Sequence, residues 1–203
     1  MSRIEKLRYL IAELYQSDCP NRAEMANWLY DNHMLLVADE AGKLARRFNL
    51  DEDLCVASAL LHDIADAVMD RFDPKHEEES FRIARELLSE CGFTSEEISV
   101  VVDDAMKYHS CYSEEKSPKT DAGKVLATAD AIVHITSDYY PYLAEMKASE
   151  RPGQKMVDWL APKLERDFNL KIKFPEIKEE MRLMYNQRKK EIIGQRLPKI
   201  LIK

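Results

Sequence analysis

Apolar residues recur at spacings of three and four along almost the whole chain. Alternation with a period of two never persists for more than a few positions, and only five glycines occur in 203 residues. Apolar residues three and four apart lie on one face of a helix, whereas a half-buried strand needs alternation. The pattern therefore predicts an all-α fold.

Capping residues indicate where several of these helices begin and end. Asn49 ends the third predicted helix, and Asp51 is the expected N-cap of the fourth, whose apolar face continues to Val68. Thr94 and Glu97 have the spacing of a capping box at the start of a later helix. The predicted helices cover an apolar stripe at Leu7, Leu10, Ile11 and Leu14 and then residues 22–30, 32–48, 51–68, 74–91, 94–110 and 121–137.

The segment between residues 73 and 120 carries further boundary signals. Asp73 followed by Pro74 is typical of an N-cap with proline at the first helical position. Gly92 fits a left-handed residue just after the end of that helix. Residues 111–120 contain no periodic apolar set, so we expect an exposed loop that borders the functional site.

The chain has the length of one domain and can bury a substantial core. Breaks at 151–153 and 174–175 interrupt the helical pattern near the C-terminus without a change of composition. We therefore predict a single all-helical domain over 1–203, with a core at about 22–140 and a helical C-terminal extension at about 141–203 that packs on the core.

Charge and cysteine usage narrow the class of partner. The formal net charge of -7 argues against nucleic acid, whose backbone is bound by clustered Lys and Arg, and favours a small ligand. The longest apolar stretches fall short of the about 20 residues that span a bilayer, so no membrane partner is expected. Four dispersed cysteines without a secretory signal indicate reduced thiols in a cytoplasmic protein. The sequence leaves the oligomeric state open, a homodimer included.

Histidine and aspartate placement gives the chemical signal. A lone histidine on an apolar face is more often a hydrogen-bonded core residue than a metal ligand, but here four of the five histidines lie at positions expected to face the interior. Asp130 lies within the apolar run 125–133, where an unpaired carboxylate would be costly and a cation would compensate it. The candidate metal ligands are His33, His62, Asp63, His76, His109 and Asp130.

His62 and Asp63 are expected to lie on one helix. Consecutive helical side chains diverge by about 100°, so the pair can approach one cation from two sides. Asp63 and Asp66 are the candidate catalytic groups, because Asp66 falls on the same helix side and is within reach as a general base or acid. Alternatively, Asp66 orients His62 or faces solvent.

At these residues the chain resembles the HD-domain metal-dependent phosphohydrolases. The family's order is a histidine, an adjacent His-Asp pair and a distal aspartate, which His33, His62 with Asp63, and Asp130 match over roughly residues 30–137. The resemblance implies hydrolysis of a phosphoester or phosphoanhydride of a small molecule, a nucleotide or similar compound, by a metal-activated water.

Two further histidines refine the resemblance. Family members with binuclear centres carry extra histidines between the His-Asp pair and the last aspartate, so the resemblance implies two metal ions. Imidazole and carboxylate ligands without thiolate suit iron, manganese, cobalt, nickel or zinc. The implied assignment is His33, His62 and Asp130 for the first ion, His76 and His109 for the second, and Asp63 as a bridge.

Other candidates carry weaker signals. Lys107, Lys116 and Lys119 are candidates for binding substrate phosphates, although surface lysines without a role are more common. His134 lies four residues after Asp130 and is a candidate hydrogen-bond partner for it, with a structural histidine as the alternative.

Two rival functions stay open. Some HD-fold proteins with the same ligand set are mixed-valence di-iron oxygenases, so the ligands alone do not separate oxidation from hydrolysis. A non-enzymatic metal- or nucleotide-sensing module is the other alternative, and the complete ligand set argues against it.

Overall fold

The computed structural model describes residues 1–22 and 24–199, and the regular elements in these ranges are all helical, which confirms the predicted fold class. The α-helices are α1 (Arg3–Gln16), α2 (Ala26–Leu29), α3 (Leu35–Phe48), α4 (Glu52–Leu61), α5 (His76–Glu90), α6 (Ser95–Ser99), α7 (Asp121–Thr136), α8 (Tyr139–Met146), α9 (Gln154–Arg166) and α10 (Pro175–Ile193). Three π-helical segments (Tyr30–Met34, Val100–Met106 and Asp167–Lys171) and a 3₁₀ turn (Ile64–Ala67) complete the set.

Several predicted helix ends are confirmed. Asn49 has left-handed dihedral angles and ends α3, and the Asp51 side chain accepts a hydrogen bond from the Leu54 N–H at the start of α4. The capping box of Thr94 and Glu97 is present in both directions. Gly92 has φ +81° after α5, a conformation that costs glycine little.

The predicted boundary between a second and a third helix is wrong. α2 and α3 are joined without a break by the π segment Tyr30–Met34, which carries His33. A π turn contains one extra residue, which moves the apolar positions that follow it out of the 3.6-residue helical repeat. In the sequence this shift resembles a break between two helices.

The predicted helix over 51–68 is also too long. α4 ends at Leu61, Asp63 has φ -128°, and the 3₁₀ turn Ile64–Ala67 follows. The His62 Nδ1–H donates to the Ala59 carbonyl at 2.8 Å. In a continuing helix that carbonyl would accept from a backbone N–H in the next turn, so the His62 side chain competes with the helix. His62 and Asp63 therefore lie at the end of a helix and not inside it.

The start of α5 differs from the prediction by two residues. The helix begins at His76, and its N-terminal flanking residue is Lys75, not Asp73. Asp73 instead accepts a hydrogen bond from the Lys75 N–H at 2.8 Å, within the turn that precedes the helix. His76 consequently lies in the first turn of α5.

α7 is the central helix, because its residues from Ala122 to Ile135 are buried apart from Lys124. α3, α4 and the two π segments Val100–Met106 and Asp167–Lys171 pack around it. Asp130 lies in the middle of α7 and is therefore surrounded by protein. α4, which ends just before His62, and the π segment that carries Lys171 are among these neighbours.

The residues after 140 contribute to the same hydrophobic core. Leu160, Leu164, Phe168 and Ile177 are buried in it together with residues of α3, α4 and α7. The division at 140 stays a prediction. Within the described part of the chain, no helix has the length and apolarity needed to cross a membrane.

Candidate metal centre

The end of α4, the π segment Tyr30–Met34 and α7 bring four predicted ligands together. His33 Nε2 lies 3.2 Å from His62 Nε2 and 3.3 Å from Asp130 Oδ1. Asp63 Oδ2 lies 3.5 Å from His62 Nε2. The histidines and Asp130 are almost completely buried, so these polar atoms face one another and not water.

This donor set fits a divalent transition metal ion. Two nitrogen or oxygen atoms that each lie about 2.1 Å from one ion are separated by roughly 3 to 3.5 Å, which is the spacing found here. Asp130 Oδ1 is buried and has no aligned hydrogen-bond donor, although His134 Nε2 lies 3.0 Å away. Among the described residues, the groups close enough to share an ion are His33 with Asp130 and His134, and His33 with His62 and Asp63.

Backbone carbonyls hold two histidines in the tautomer that a metal ligand needs. His62 Nδ1–H donates to the Ala59 carbonyl at 2.8 Å, and His109 Nδ1–H donates to the Met106 carbonyl at 2.6 Å. A carbonyl only accepts, so each Nε2 is left with its lone pair. Burial and the neighbouring His62 and Lys171 lower the pKa of His109 to about 4, and burial holds the pKa of His33 well below its usual value.

A second group of polar residues lies behind Asp130. Lys171, which is 2% exposed, donates to Asp130 Oδ2. Asp167 Oδ2 accepts from the Tyr140 hydroxyl at 2.6 Å and lies 2.9 Å from His134 Nδ1. Burial opposes ionisation of Asp130, but His134 and Lys171 outweigh it and hold the pKa of that carboxyl well below its usual range.

Arg71 forms a third group with two carboxylates. Its Nη2 lies 2.5 Å from Asp63 Oδ2, and its Nη1 donates to Asp66 Oδ2. The other Asp66 oxygen lies 2.9 Å from His76 Nε2. Both oxygens of the buried Asp66 are thus engaged by protein, whereas Asp63 also faces His62.

These groups form one wall of a cavity of about 410 Å³, a volume within the range of small-molecule sites. Four basic side chains from three segments line it, namely Arg71 and Lys171 near the carboxylates and Lys163 and Arg166 on α9. Aromatic residues lie toward the opening, since Phe72 is 61% and Tyr112 is 71% exposed. The cavity thus combines a buried acid–imidazole cluster with basic walls.

The structure does not bring every predicted site residue to this cluster. His76 and His109 line the cavity, but neither belongs to a group of described residues close enough to share an ion. Lys107, Lys116 and Lys119 are exposed and do not line the cavity. Asp66 lies behind the wall, in contact with Arg71 and His76.

Sequence reasoning missed Arg71, Lys163, Arg166, Asp167 and Lys171. A signal existed for the last two, because Asp167 and Lys171 are four residues apart next to the apolar Phe168, Leu170 and Ile172. Arg71 lies in an irregular segment with no periodic pattern, so no local sequence signal indicates where its side chain points.

A family model described as "HD domain" matches residues 30–134. The match begins in the π segment that carries His33 and ends in α7, four residues beyond Asp130. Neither a curated protein nor a solved structure gives a significant match to the chain. Asp167, Lys171 and the basic residues of α9 lie outside the matched range.

Proposed function

The chain belongs to the HD-domain family, whose members are mostly metal-dependent phosphohydrolases, and from that premise we propose that it hydrolyses a phosphoester or phosphoanhydride bond in a small molecule, namely a nucleotide. The ligands of the metal would be His33, His62, Asp63 and Asp130. A divalent ion bound there supplies a water that ionises near neutral pH and a Lewis acid for a phosphoryl oxygen.

The observation that carries the proposal is the pairing of this ligand cluster with basic cavity walls. Lys163 and Arg166 lie one turn apart on α9 and face the same cavity as His62 and Asp63. Arginine and lysine are the side chains that bind phosphate oxygens, and a cavity of about 410 Å³ has room for a nucleotide. The exposed rings of Phe72 and Tyr112 offer stacking surfaces for a base.

Other residues support this chemistry without serving as metal ligands. His109 is neutral at pH 7, because its pKa is about 4, and its Nε2 lone pair can accept a hydrogen bond from water or substrate. Asp66 holds Arg71 and His76 and is a positioning residue in this proposal. Lys171 holds Oδ2 of Asp130, so Oδ1, which faces His33 and His134, is the oxygen that would bind a metal ion.

The test is a turnover assay with purified full-length protein supplied with Mn²⁺, Fe²⁺ or Zn²⁺ and a panel of nucleotides and phosphate esters. We expect phosphate or pyrophosphate release under anaerobic conditions, with redox-inert Zn²⁺ as well as Mn²⁺, which an oxygenase would not show. His62→Ala and Asp63→Ala should each abolish release, while Arg82→Gln, a change at an exposed arginine of α5, should not. Unchanged turnover in His62→Ala and Asp63→Ala would remove the proposed site.

A further inference from the structure

Arg71 occupies the place beside Asp63 where a binuclear centre would need its second ion. In the binuclear arrangement, Asp63 bridges to an ion held by His76 and His109. Here the guanidinium lies between Asp63 and Asp66, with Nη2 2.5 Å from Asp63 Oδ2. A divalent ion at that place would meet the positive charge of Arg71 at close range.

The two histidines expected at a second ion form no ion-sharing group with Asp63 among the described residues. His76 Nε2 lies 2.9 Å from Asp66 Oδ1, so its ring is directed to the carboxylate that also binds Arg71. Among residues 1–22 and 24–199, two groups of side chains lie close enough together to share an ion. Both groups include His33, and neither includes His76 or His109. The described side chains therefore favour one ion near His33, and His76 is engaged with Asp66 instead.

The charge beside Asp63 agrees with a single ion. Asp63 and Asp66 both face the guanidinium of Arg71, which is permanently charged. A second divalent ion next to that guanidinium would place like charges together in a largely buried place, which is costly.

We propose that Arg71 replaces the second metal ion of a binuclear centre, so that this chain binds one divalent ion and supplies the second positive charge from its own side chain. The guanidinium is 20% exposed and lines the cavity, so it keeps donors available for a phosphate oxygen beside Asp63. The inference rests on metal binding at the site of the proposed function, but it does not depend on which substrate is cleaved.

The experiment measures metal content and magnetic coupling, not turnover. The full-length protein is stripped with a chelator, loaded with Mn²⁺, dialysed and analysed by mass spectrometry of the metal and by electron paramagnetic resonance. We expect one Mn²⁺ per chain and the six-line spectrum of an isolated ion for the wild-type protein. Two ions per chain, or a spectrum of coupled ions, would overturn the proposal even if the protein is an active hydrolase.

Variants at position 71 test the role of the arginine itself. Arg71→Gln removes the charge and should allow a second Mn²⁺, with a coupled spectrum, because Asp63, Asp66 and His76 are released. Arg71→Lys keeps the charge and should bind one ion, as should Arg82→Gln, which changes an exposed arginine paired with Glu79 and Glu86. One ion in a folded Arg71→Gln, judged by circular dichroism, would contradict the replacement. If Arg71→Gln does not fold, the wild-type stoichiometry and spectrum still decide the single-ion claim.

Discussion

At the scale of single residues, Lys171 has the most unusual environment. It is 2% exposed and donates to Asp130, with Asp167 at 3.8 Å. Burial disfavours the charged lysine, but Asp130 and Asp167 outweigh it and raise the pKa of Lys171. Breaking a buried ion pair by removing one partner leaves the other charge uncompensated, which is more harmful than replacing both.

Lys171→Met should therefore destabilise the metal-free protein by about 3 to 5 kcal/mol. Bound Mn²⁺ should narrow the difference between variant and wild type, because a cation beside Asp130 takes over part of the role of the lysine. Urea unfolding with and without Mn²⁺ measures both effects. Lys155→Met, at an exposed position of α9, is the matched control and should change stability by less than about 0.5 kcal/mol. Equal unfolding of the two variants would show that the buried pair has no stabilising role.

A second prediction at the scale of single residues concerns the role of Asp66. Since both of its oxygens are engaged by Arg71 and His76, Asp66→Asn should lower turnover by about 10- to 100-fold through misplacement of those two side chains. The pH dependence of kcat should keep its shape, because the group that titrates in the reaction is another one. Loss of the acidic limb of that pH profile would instead identify Asp66 as a general base, one of the roles that the sequence left open for it.

The order of His33, His62 with Asp63, and Asp130 predicted a cluster through its resemblance to the family pattern, and the apolar run around Asp130 supported it, since a buried carboxylate there needs a cation. The same reasoning does not reach Arg71. Its partners, Asp63 and Asp66, are eight and five residues away along an irregular segment, so the direction of its side chain depends on the path of the backbone. A periodic pattern contains no information on that path.

At the scale of elements, irregular helical turns are concentrated at the site. The π segments Tyr30–Met34 and Asp167–Lys171 carry His33 and Lys171, and Val100–Met106 ends at the carbonyl that orients His109. π turns are rare and often lie at functional sites, since they redirect a side chain at a cost in helix stability. Hydrophobic periodicity predicted helix over Val100–Met106 but a break between two helices within Tyr30–Met34, and it could not predict a π turn at any of the three places.

The packing of the α7 N-terminus gives a prediction at this scale. A Cβ added at Gly123 would lie 2.5 Å from Pro118 Cβ, 2.8 Å from Asp104 Oδ2 and 3.1 Å from Ala105 Cα. Asp104 also accepts hydrogen bonds from the backbone and hydroxyl of Thr120, the N-cap of α7. Gly123→Ala should therefore destabilise the protein by about 1 to 3 kcal/mol in denaturant unfolding, in spite of the higher helix propensity of alanine.

Gly42 in α3 provides the matched control. A Cβ there would lie 3.3 Å from the end of the Glu52 side chain and 3.4 Å from Arg46 and Val56, contacts that small movements relieve. Gly42→Ala should be neutral or stabilise the protein by up to about 1 kcal/mol, which is the propensity difference in a helix interior. If both substitutions destabilise equally, the close approach at Gly123 is not the cause.

At the scale of the whole molecule, residues outside the matched family range complete the site. The family model ends at residue 134, yet Lys171 binds Asp130 and Asp167 faces His134. The sequence predicted only that the extension packs on the core, because contacts between residues some 40 positions apart leave no local pattern. Its contribution to the cavity follows from the way α9 packs on the π segment Asp167–Lys171, which in turn packs against α7.

The basic face of α9 should therefore set which phosphate compounds this molecule prefers. Lys163 and Arg166 line the cavity, and a triphosphate reaches further from the metal ligands than a monophosphate does, so it can contact both. In the double variant Lys163→Gln/Arg166→Gln, KM should rise about tenfold or more for a nucleoside triphosphate, since a hydrogen bond to a charged group contributes about 1.5 kcal/mol or more. KM for the monophosphate should change much less, and kcat should change little for either.

Steady-state kinetics with both substrates measures this difference in KM, with Lys155→Gln on the exposed face of α9 as the control. An equal rise of KM for mono- and triphosphate would mean that these residues do not distinguish phosphate chain length, while loss of kcat alone would place them at the reacting phosphate.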